Sequence, residues 1–301
     1  MAPRRSVYGL RSLSRLAWPS ATTHTRPLAS QMASSPTQTG PPLTPRLTFS
    51  TSNTPTNPAN QPMEPPAPTH HIHILGLGNL SKLISHSLST LPDPPLLTLL
   101  TYHPTLLPSS PITLTLTRHN TPLPSPPLGL ALTTAPGAPI SHLILTTKSP
   151  TTTGAILPLL PRLSSTSTIL FTQNGMGAMD EIAALFRADA QPTFLSAIVT
   201  HGVFSTGPLS ATHAGVADLK IGPVSSDTAL SASARWLMDT ILASEPLAGV
   251  EVGAEELRAV TMEKLVANAV INPLTAIFRV PNGEVLDPAL TPLREALVAE
   301  T

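Results

Sequence analysis

His71-Ile72-His73-Ile74-Leu75-Gly76-Leu77-Gly78-Asn79-Leu80-Ser81, running on into Lys82-Leu83-Ile84-Ser85-His86-Ser87-Leu88, decides the fold. The first five residues alternate and are rich in strand formers, as a segment entering a sheet should be. Leucine and isoleucine then return at helical intervals beyond the two glycines. The segment reads strand, glycine turn, helix, and a second strand is expected over Leu96 to Tyr102, within the span of a βαβ unit.

A glycine turn in this setting is a candidate cradle for a dinucleotide. The first glycine makes the tight turn, the second lets backbone approach the pyrophosphate, and the third lets helix pack closely on strand. Gly76 and Gly78 fill the first two places, and Ser81 takes the third with some loosening expected of that packing. The helix start offers unpaired N–H groups and a positive dipole end to phosphate oxygens. Gly76, Leu77, Gly78, Asn79, Leu80 and Ser81 are therefore the candidate cofactor loop; the same residues also fit a tight turn without a ligand. The second strand ends at Thr101-Tyr102-His103-Pro104, with neither a carboxylate nor an arginine to choose between NAD and NADP.

Downstream, Ser141 to Thr147 and Ser167 to Thr172 read as further strands, with a crossover helix over Thr151 to Leu163 between them. Strands alternating with helices predict an α/β fold, a Rossmann-type parallel sheet. One strand is expected at Ile112 to Thr117 in the proline-studded stretch 104–139. Strands at Phe194 to Thr200 and Gly215 to Gly222 follow, then helices over Ala229 to Ala243 and Ala254 to Phe278. The expected division is a disordered extension over 1–69, a dinucleotide-binding domain over 70–224, and the beginning of an all-helical domain over 225–301.

Composition narrows the chemistry. The chain has 301 residues, no cysteine, and equal numbers of basic and acidic side chains, 17 of each. Disulfides, thiolate metal sites and a cysteine nucleophile are excluded, and nothing global points to nucleic acid. No apolar run is long enough and free enough of Pro and charge to suggest a membrane span. Only 11% of residues are charged while 36 are proline, so part of the chain should be low-complexity. Every charge before Glu64 is positive: Arg4, Arg5, Arg11, Arg15, Arg26 and Arg46. An Arg-rich, acid-free start with Leu10, Leu13 and Leu16 at helical spacing has the make-up of a mitochondrial transit peptide. A plain basic tail on a cytoplasmic protein is the alternative.

Two further constellations carry chemistry. Phe171-Thr172-Gln173-Asn174-Gly175-Met176-Gly177 follows a strand, at the edge where ligands of open α/β sheets gather. The Asn174 amide both donates and accepts, so it suits a carboxamide or a substrate hydroxyl, although Asn-Gly is also an ordinary turn dipeptide. The second is Met262-Glu263-Lys264-Leu265-Val266-Ala267-Asn268-Ala269-Val270-Ile271-Asn272-Pro273-Leu274-Thr275-Ala276. Lys264, Asn268 and Asn272 recur every four residues and share one helix face. Such a stripe on an apolar helix is solvated, paired internally or occupied by a ligand.

Taken together, the glycine loop, Thr147-Lys148, Gln173-Asn174-Gly175 and the lysine helix continuing into Val280-Pro281-Asn282-Gly283 resemble the ketopantoate reductase (2-dehydropantoate 2-reductase) family. The resemblance covers roughly His71 to the C-terminus. It implies NADPH-dependent reduction of 2-dehydropantoate to pantoate, a step toward pantothenate and coenzyme A. By the same resemblance Lys264 is the general acid, Asn268, Asn272 and Asn282 hold substrate, Asn174 lies between nicotinamide and substrate, and Lys148 approaches the adenosine end of NADPH. The partner is then a small 2-oxo acid, with room for a homodimer. Family members place a serine and a glutamate of the site in a helical domain most of which follows the lysine helix, here beyond Thr301. That leaves a fragment, a truncated gene model, an inactive nucleotide-binding remnant, or a related reductase of another 2-oxo acid as alternatives.

Overall fold

The computed structural model describes residues 70–102, 110–226 and 229–301. The stretch 1–69, with its targeting and linker readings, lies outside the described residues, as do His103 and Pro104. In chain order the strands are β1 (His71–Leu75), β2 (Leu96–Thr101), β3 (Thr115–Arg118), β4 (Thr121–Pro124), β5 (Gly129–Leu132), β6 (His142–Leu145), β7 (Thr168–Phe171), β8 (Thr193–Val199), β9 (Gly202–Gly207), β10 (Ser210–Gly215), β11 (Leu219–Pro223) and β12 (Gly249–Glu251). The helices are α1 (Asn79–Ser89), α2 (Ser149–Ile156), α3 (Ala178–Ala183), α4 (Ala232–Leu242), α5 (Ala254–Phe278) and α6 (Thr291–Glu300).

Eight strands form the main sheet in the order β12-β11-β8-β7-β6-β1-β2-β5. From β8 to β5 all neighbours are parallel, and β11 turns antiparallel to β8. This is the expected α/β architecture with a parallel core. β1 lies between β2 and β6, so the chain reverses its direction of travel across the sheet there. In open α/β folds that switch point is where a ligand crevice opens.

The expected domain boundary after residue 224 needs correction. α4 packs on the sheet, and β12 adds to it as a parallel neighbour of β11, so the sheet unit runs to about residue 251. β12 is only three residues long and partly exposed, which leaves no periodicity to read. The helical segment then begins with α5, which covers the expected range, and continues through α6. No helix among the described residues is long and apolar enough to cross a membrane.

A second, four-stranded sheet, β4-β3-β10-β9, was not anticipated. It lies over α1, which is thereby packed between two sheets. Its consecutive residues Ser81 to Ser89 are all buried, polar ones included. Leu83, Ile84 and Leu88 share one core with Leu114, Leu116 and Ala211 of the second sheet side. The strand expected at Ile112 to Thr117 starts later, at Thr115; Ile112 makes only an isolated bridge to Leu128. Prolines 122 and 124 sit in β4, which pairs on one side only, where a missing N–H breaks no ladder.

The crossover helix expected over Thr151 to Leu163 is α2 followed by a 3-10 segment, Leu157–Arg162. Pro158 and Pro161 lack the N–H that an α-helix interior requires, and the tighter turn takes over. This element and α3 cover the other face of the main sheet around Leu143, Leu145, Ile156, Leu159, Phe171 and Ile182. Two core faces and a crevice at the strand ends between them are what place the candidate site.

Candidate functional site

The site is built where β1, β6, β7 and β8 end. Gly76 leaves β1 with φ +110°, and a Cβ there would lie 2.8 Å from the Thr146 hydroxyl oxygen, so only glycine fits between the β1 and β6 strand ends. Its N–H donates to Leu100 O at 2.9 Å, and Thr146 N–H donates to Leu75 O at 3.0 Å. The turn is thus pinned to both neighbouring strands.

Ser81 does not loosen the turn. Its side chain is fully buried, and its hydroxyl donates to Gly76 O at 2.8 Å. The third position keeps helix against strand through a hydrogen bond instead of through the absence of a side chain. Beyond the turn, α1 starts without any side-chain cap and without an acidic residue in its first turn. A Cβ on Gly78 would meet no atom within 4 Å. Open backbone and uncapped N–H groups at the switch point fit the phosphates of a dinucleotide.

A cleft of about 180 Å³ opens beside this turn, lined by Asn79, Leu80, Thr172, Asn174, Val199, His201 and Val203. Asn79 Nδ2 donates to Val203 O at 3.2 Å, tying the start of α1 to the opposite wall. Thr172 donates its hydroxyl proton to Leu145 O at 2.6 Å. Gln173 turns inward to the Thr152 hydroxyl at 3.2 Å, leaving the next residue, Asn174, exposed in the cleft.

Lys264 reaches the cleft wall from α5. Its Nζ donates to Val199 O at 2.7 Å, and burial pushes its pKa down to about 8. The ammonium is therefore held against a cleft residue and partly shielded from water. The other two members of the stripe are placed differently. Asn268 is half-buried, Asn272 and Asn282 are exposed, and none of the three carboxamides has a hydrogen-bond partner among the described residues. Lys148 stands exposed at the N-cap of α2, one strand away from the glycine turn.

Sequence reasoning passed over residues in and behind the cleft wall, of which His201 lines the cleft. Lys82, buried within α1, donates to Ser205 Oγ at 3.2 Å, Gly207 O at 2.7 Å and Ser210 O at 3.1 Å. All three acceptors belong to the β9–β10 hairpin, so this lysine fastens the second sheet to the helix of the glycine turn. His201 donates from Nε2 to Leu247 O at 2.9 Å, and its Nδ1 accepts from His213 Nε2 at 3.1 Å. His213 Nδ1 in turn accepts from Arg118 Nε at 3.1 Å. Burial, with Arg118 nearby, pushes His213 down to about 4 and lowers His201, so both rings are neutral. These residues carried only a faint signal: His201 follows a strand end, but Lys82 and Arg118 are single charges in unremarkable contexts. No group of three or more side chains suited to a metal ion occurs among the described residues.

Comparison with known proteins shows the family of the chain. The family model described as ketopantoate reductase PanE/ApbA matches residues 72–226, and its C-terminal counterpart matches residues 256–301. A Schizosaccharomyces pombe protein named "Probable 2-dehydropantoate 2-reductase" is 37% identical over 154 residues, covering 48% of this chain and 44% of that protein. A ketoisovalerate reductase of Gibberella fujikuroi is 32% identical over 161 residues, covering 50% of this chain and 36% of its own. The solved 2-dehydropantoate 2-reductase of Geobacter metallireducens superposes with a TM-score of 0.64 at 18% identity, over 76% of this chain and 73% of that one, a likeness of fold. The chain spans half or less of the length of these curated relatives.

Proposed function

The chain belongs to the ketopantoate reductase family, and from that premise we propose that it reduces 2-dehydropantoate to pantoate with NADPH, in the route to pantothenate and coenzyme A. The observation that carries the reading is the Lys264 ammonium, partly buried and held on Val199 O, which lines the cleft with Asn79 and Asn174.

NADPH, when bound, supplies the hydride. The chain's own residues bind, orient and protonate. Backbone N–H groups at Asn79, Leu80 and Ser81 would donate to phosphate oxygens, with Gly76 making the turn against β6 and Gly78 leaving the space beside them open. Lys148, exposed beside the crevice, supplies the positive charge that an adenosine phosphate needs, in the absence of an arginine directly after β2. Asn174 orients the reacting carbonyl. Lys264 holds a proton at Nζ and gives it to the substrate oxygen as negative charge develops there. A partly desolvated cation does this more effectively than a fully hydrated one. Asn268, Asn272 and Asn282 are assigned to the substrate hydroxyl and carboxylate. That assignment requires the exposed Asn272 and Asn282 to become covered when substrate binds.

Loss of NADPH absorbance on adding 2-dehydropantoate to the purified chain tests the proposal. Turnover that disappears in Lys264→Ala supports it. NADPH binding without turnover on any 2-oxo acid would leave a nucleotide-binding protein instead. A second substrate reading has its own support in the ketoisovalerate reductase relative. The two substrates differ by one hydroxymethyl group, so the ratio of their kcat/KM values decides between them.

We propose further that the protein is mitochondrial, a reading supported by the Arg-rich, acid-free start. A fluorescent fusion of residues 1–69 that stays cytoplasmic would overturn that placement.

A further inference from the structure

The chain contains two Asn-Gly pairs, Asn174-Gly175 and Asn282-Gly283, and both asparagines belong to the assigned site. Their surroundings differ. Asn174 and Gly175 are exposed, in an irregular loop between β7 and α3, with Gly175 at φ +89°. The Asn174 carboxamide has no hydrogen-bond partner among the described residues, and the Gly175 N–H donates to no backbone carbonyl there. Asn282, by contrast, opens the 3-10 segment Asn282–Leu286, whose turn is closed by Glu284 N–H donating to Pro281 O at 3.0 Å.

We propose that Asn174-Gly175 is a self-modification site, at which spontaneous deamidation replaces the carboxamide lining the cleft with a carboxylate. The Gly175 amide nitrogen attacks Asn174 Cγ and forms a new C–N bond. The Cγ–Nδ2 bond breaks, and ammonia leaves with the proton from Gly175. Solvent water then opens the five-membered imide at either carbonyl, giving aspartate or isoaspartate. Glycine leaves the attacking nitrogen unshielded by a side chain, and an unpaired carboxamide is free to turn toward it. Helical backbone at Asn282 holds the following nitrogen out of line with Cγ, so that pair reacts more slowly.

The product changes the chemistry of the cleft. A carboxylate at position 174 faces the cleft whose Val199 carbonyl holds the Lys264 ammonium. It repels anionic ligands and competes for that cation. The isoaspartate form also lengthens the main chain by a methylene beside Gly175. Activity would decline with the age of the molecule without unfolding it. This consequence rests on the function proposed above, whereas the modification itself does not.

The test is peptide mapping of the purified chain after incubation at pH 6 and at pH 8. Tryptic peptide 163–187 carries Asn174, and peptide 280–294 carries Asn282. Peptide 163–187 is expected to gain one mass unit several-fold faster than peptide 280–294, and faster at pH 8 because the attacking amide must lose its proton. An unmodified peptide 163–187, or faster conversion of peptide 280–294, overturns the proposal. Asn174→Asp provides the separate arm and is expected to weaken the NADPH-induced rise in melting temperature. If mass is gained but that rise is unchanged in Asn174→Asp, the modification stands and Asn174's role as a ligand contact falls.

Discussion

Ser81 and Gly76, the third and first positions of the glycine turn, are joined by a 2.8 Å hydrogen bond from the serine hydroxyl to the glycine carbonyl. The bond closes the loop on itself beneath the first turn of α1. Ser81→Ala should cost about 1 kcal/mol, the net worth of one hydrogen bond. Ser81→Gly should cost about 1–2 kcal/mol, because it adds the flexibility of glycine within a helix. Urea unfolding of the two variants checks both. A stabilising Ser81→Gly would mean that the turn is held by glycine packing after all.

Lys82 spans α1 and the β9–β10 hairpin with three hydrogen bonds and no carboxylate. In Lys82→Met the apolar stem is kept, the Ser210 carbonyl loses the lysine donor, and the Gly207 carbonyl keeps only the Ser205 hydroxyl. A loss of about 1–3 kcal/mol follows from removing the lysine's hydrogen bonds to the hairpin. Amide exchange should quicken first in residues 202–215, ahead of the main sheet. Uniform acceleration across the chain would deny Lys82 its fastening role.

Acid should loosen the far end of β1. His73 is pushed down to about 3 by burial, and also by His71, Arg162 and His142; burial lowers His71 and His142 as well. Unfolded, His73 takes up a proton near its ordinary value of 6.5; folded, it resists until the pH nears about 3. Between those limits the unfolded chain binds more protons, so stability rises with pH. The contribution is complete above about pH 6.5 and drains away as pH falls toward 3. The urea midpoint should therefore drop between pH 7 and pH 5, and His73→Val should flatten that slope. An unchanged slope would place the acid sensitivity elsewhere.

Turnover should follow the Lys264 ammonium. Its pKa is lowered to about 8, so the proton-donating form is lost as pH rises through that value, and kcat should decline on the alkaline side. Lys264→Ala should reduce kcat by about 10²-fold or more, the usual contribution of a placed general acid. A flat alkaline limb with full activity in the alanine variant would remove Lys264 from the chemistry.

Long, locally patterned elements were legible in the sequence. The strand-turn-helix of β1 and α1, the buried strands β6 and β7, and the 25-residue α5 each announce themselves within one window. The second sheet did not. Its strands are short, β4 carries two prolines, and β3 pairs in parallel with β10 across a wide gap in sequence, with Thr115 opposite Ser210. No local period encodes that partnership. The site divided in the same way. Lys264 and Asn174 stand in recognisable motifs, whereas Lys82, His201 and His213 gain meaning only from what folds against them. Asn272 is grouped with Lys264 by spacing and Asn282 by the family resemblance, yet both are exposed, since helical register fixes a face and not what covers it.

α5 begins three residues after β12 ends, with Gly253 between, and its lysine lies ten residues along the rod. At 1.5 Å per residue that is a lever arm of about 15 Å. A pivot of about 10° at Gly253 would swing the arm's tip by about 2.6 Å, a figure that follows from the same rise. That travel nearly equals the 2.7 Å contact the ammonium makes with Val199. Leu257 and Val260, packed on Ile198 and Val252 at the root of the rod, oppose that pivot and so fix where the cation docks.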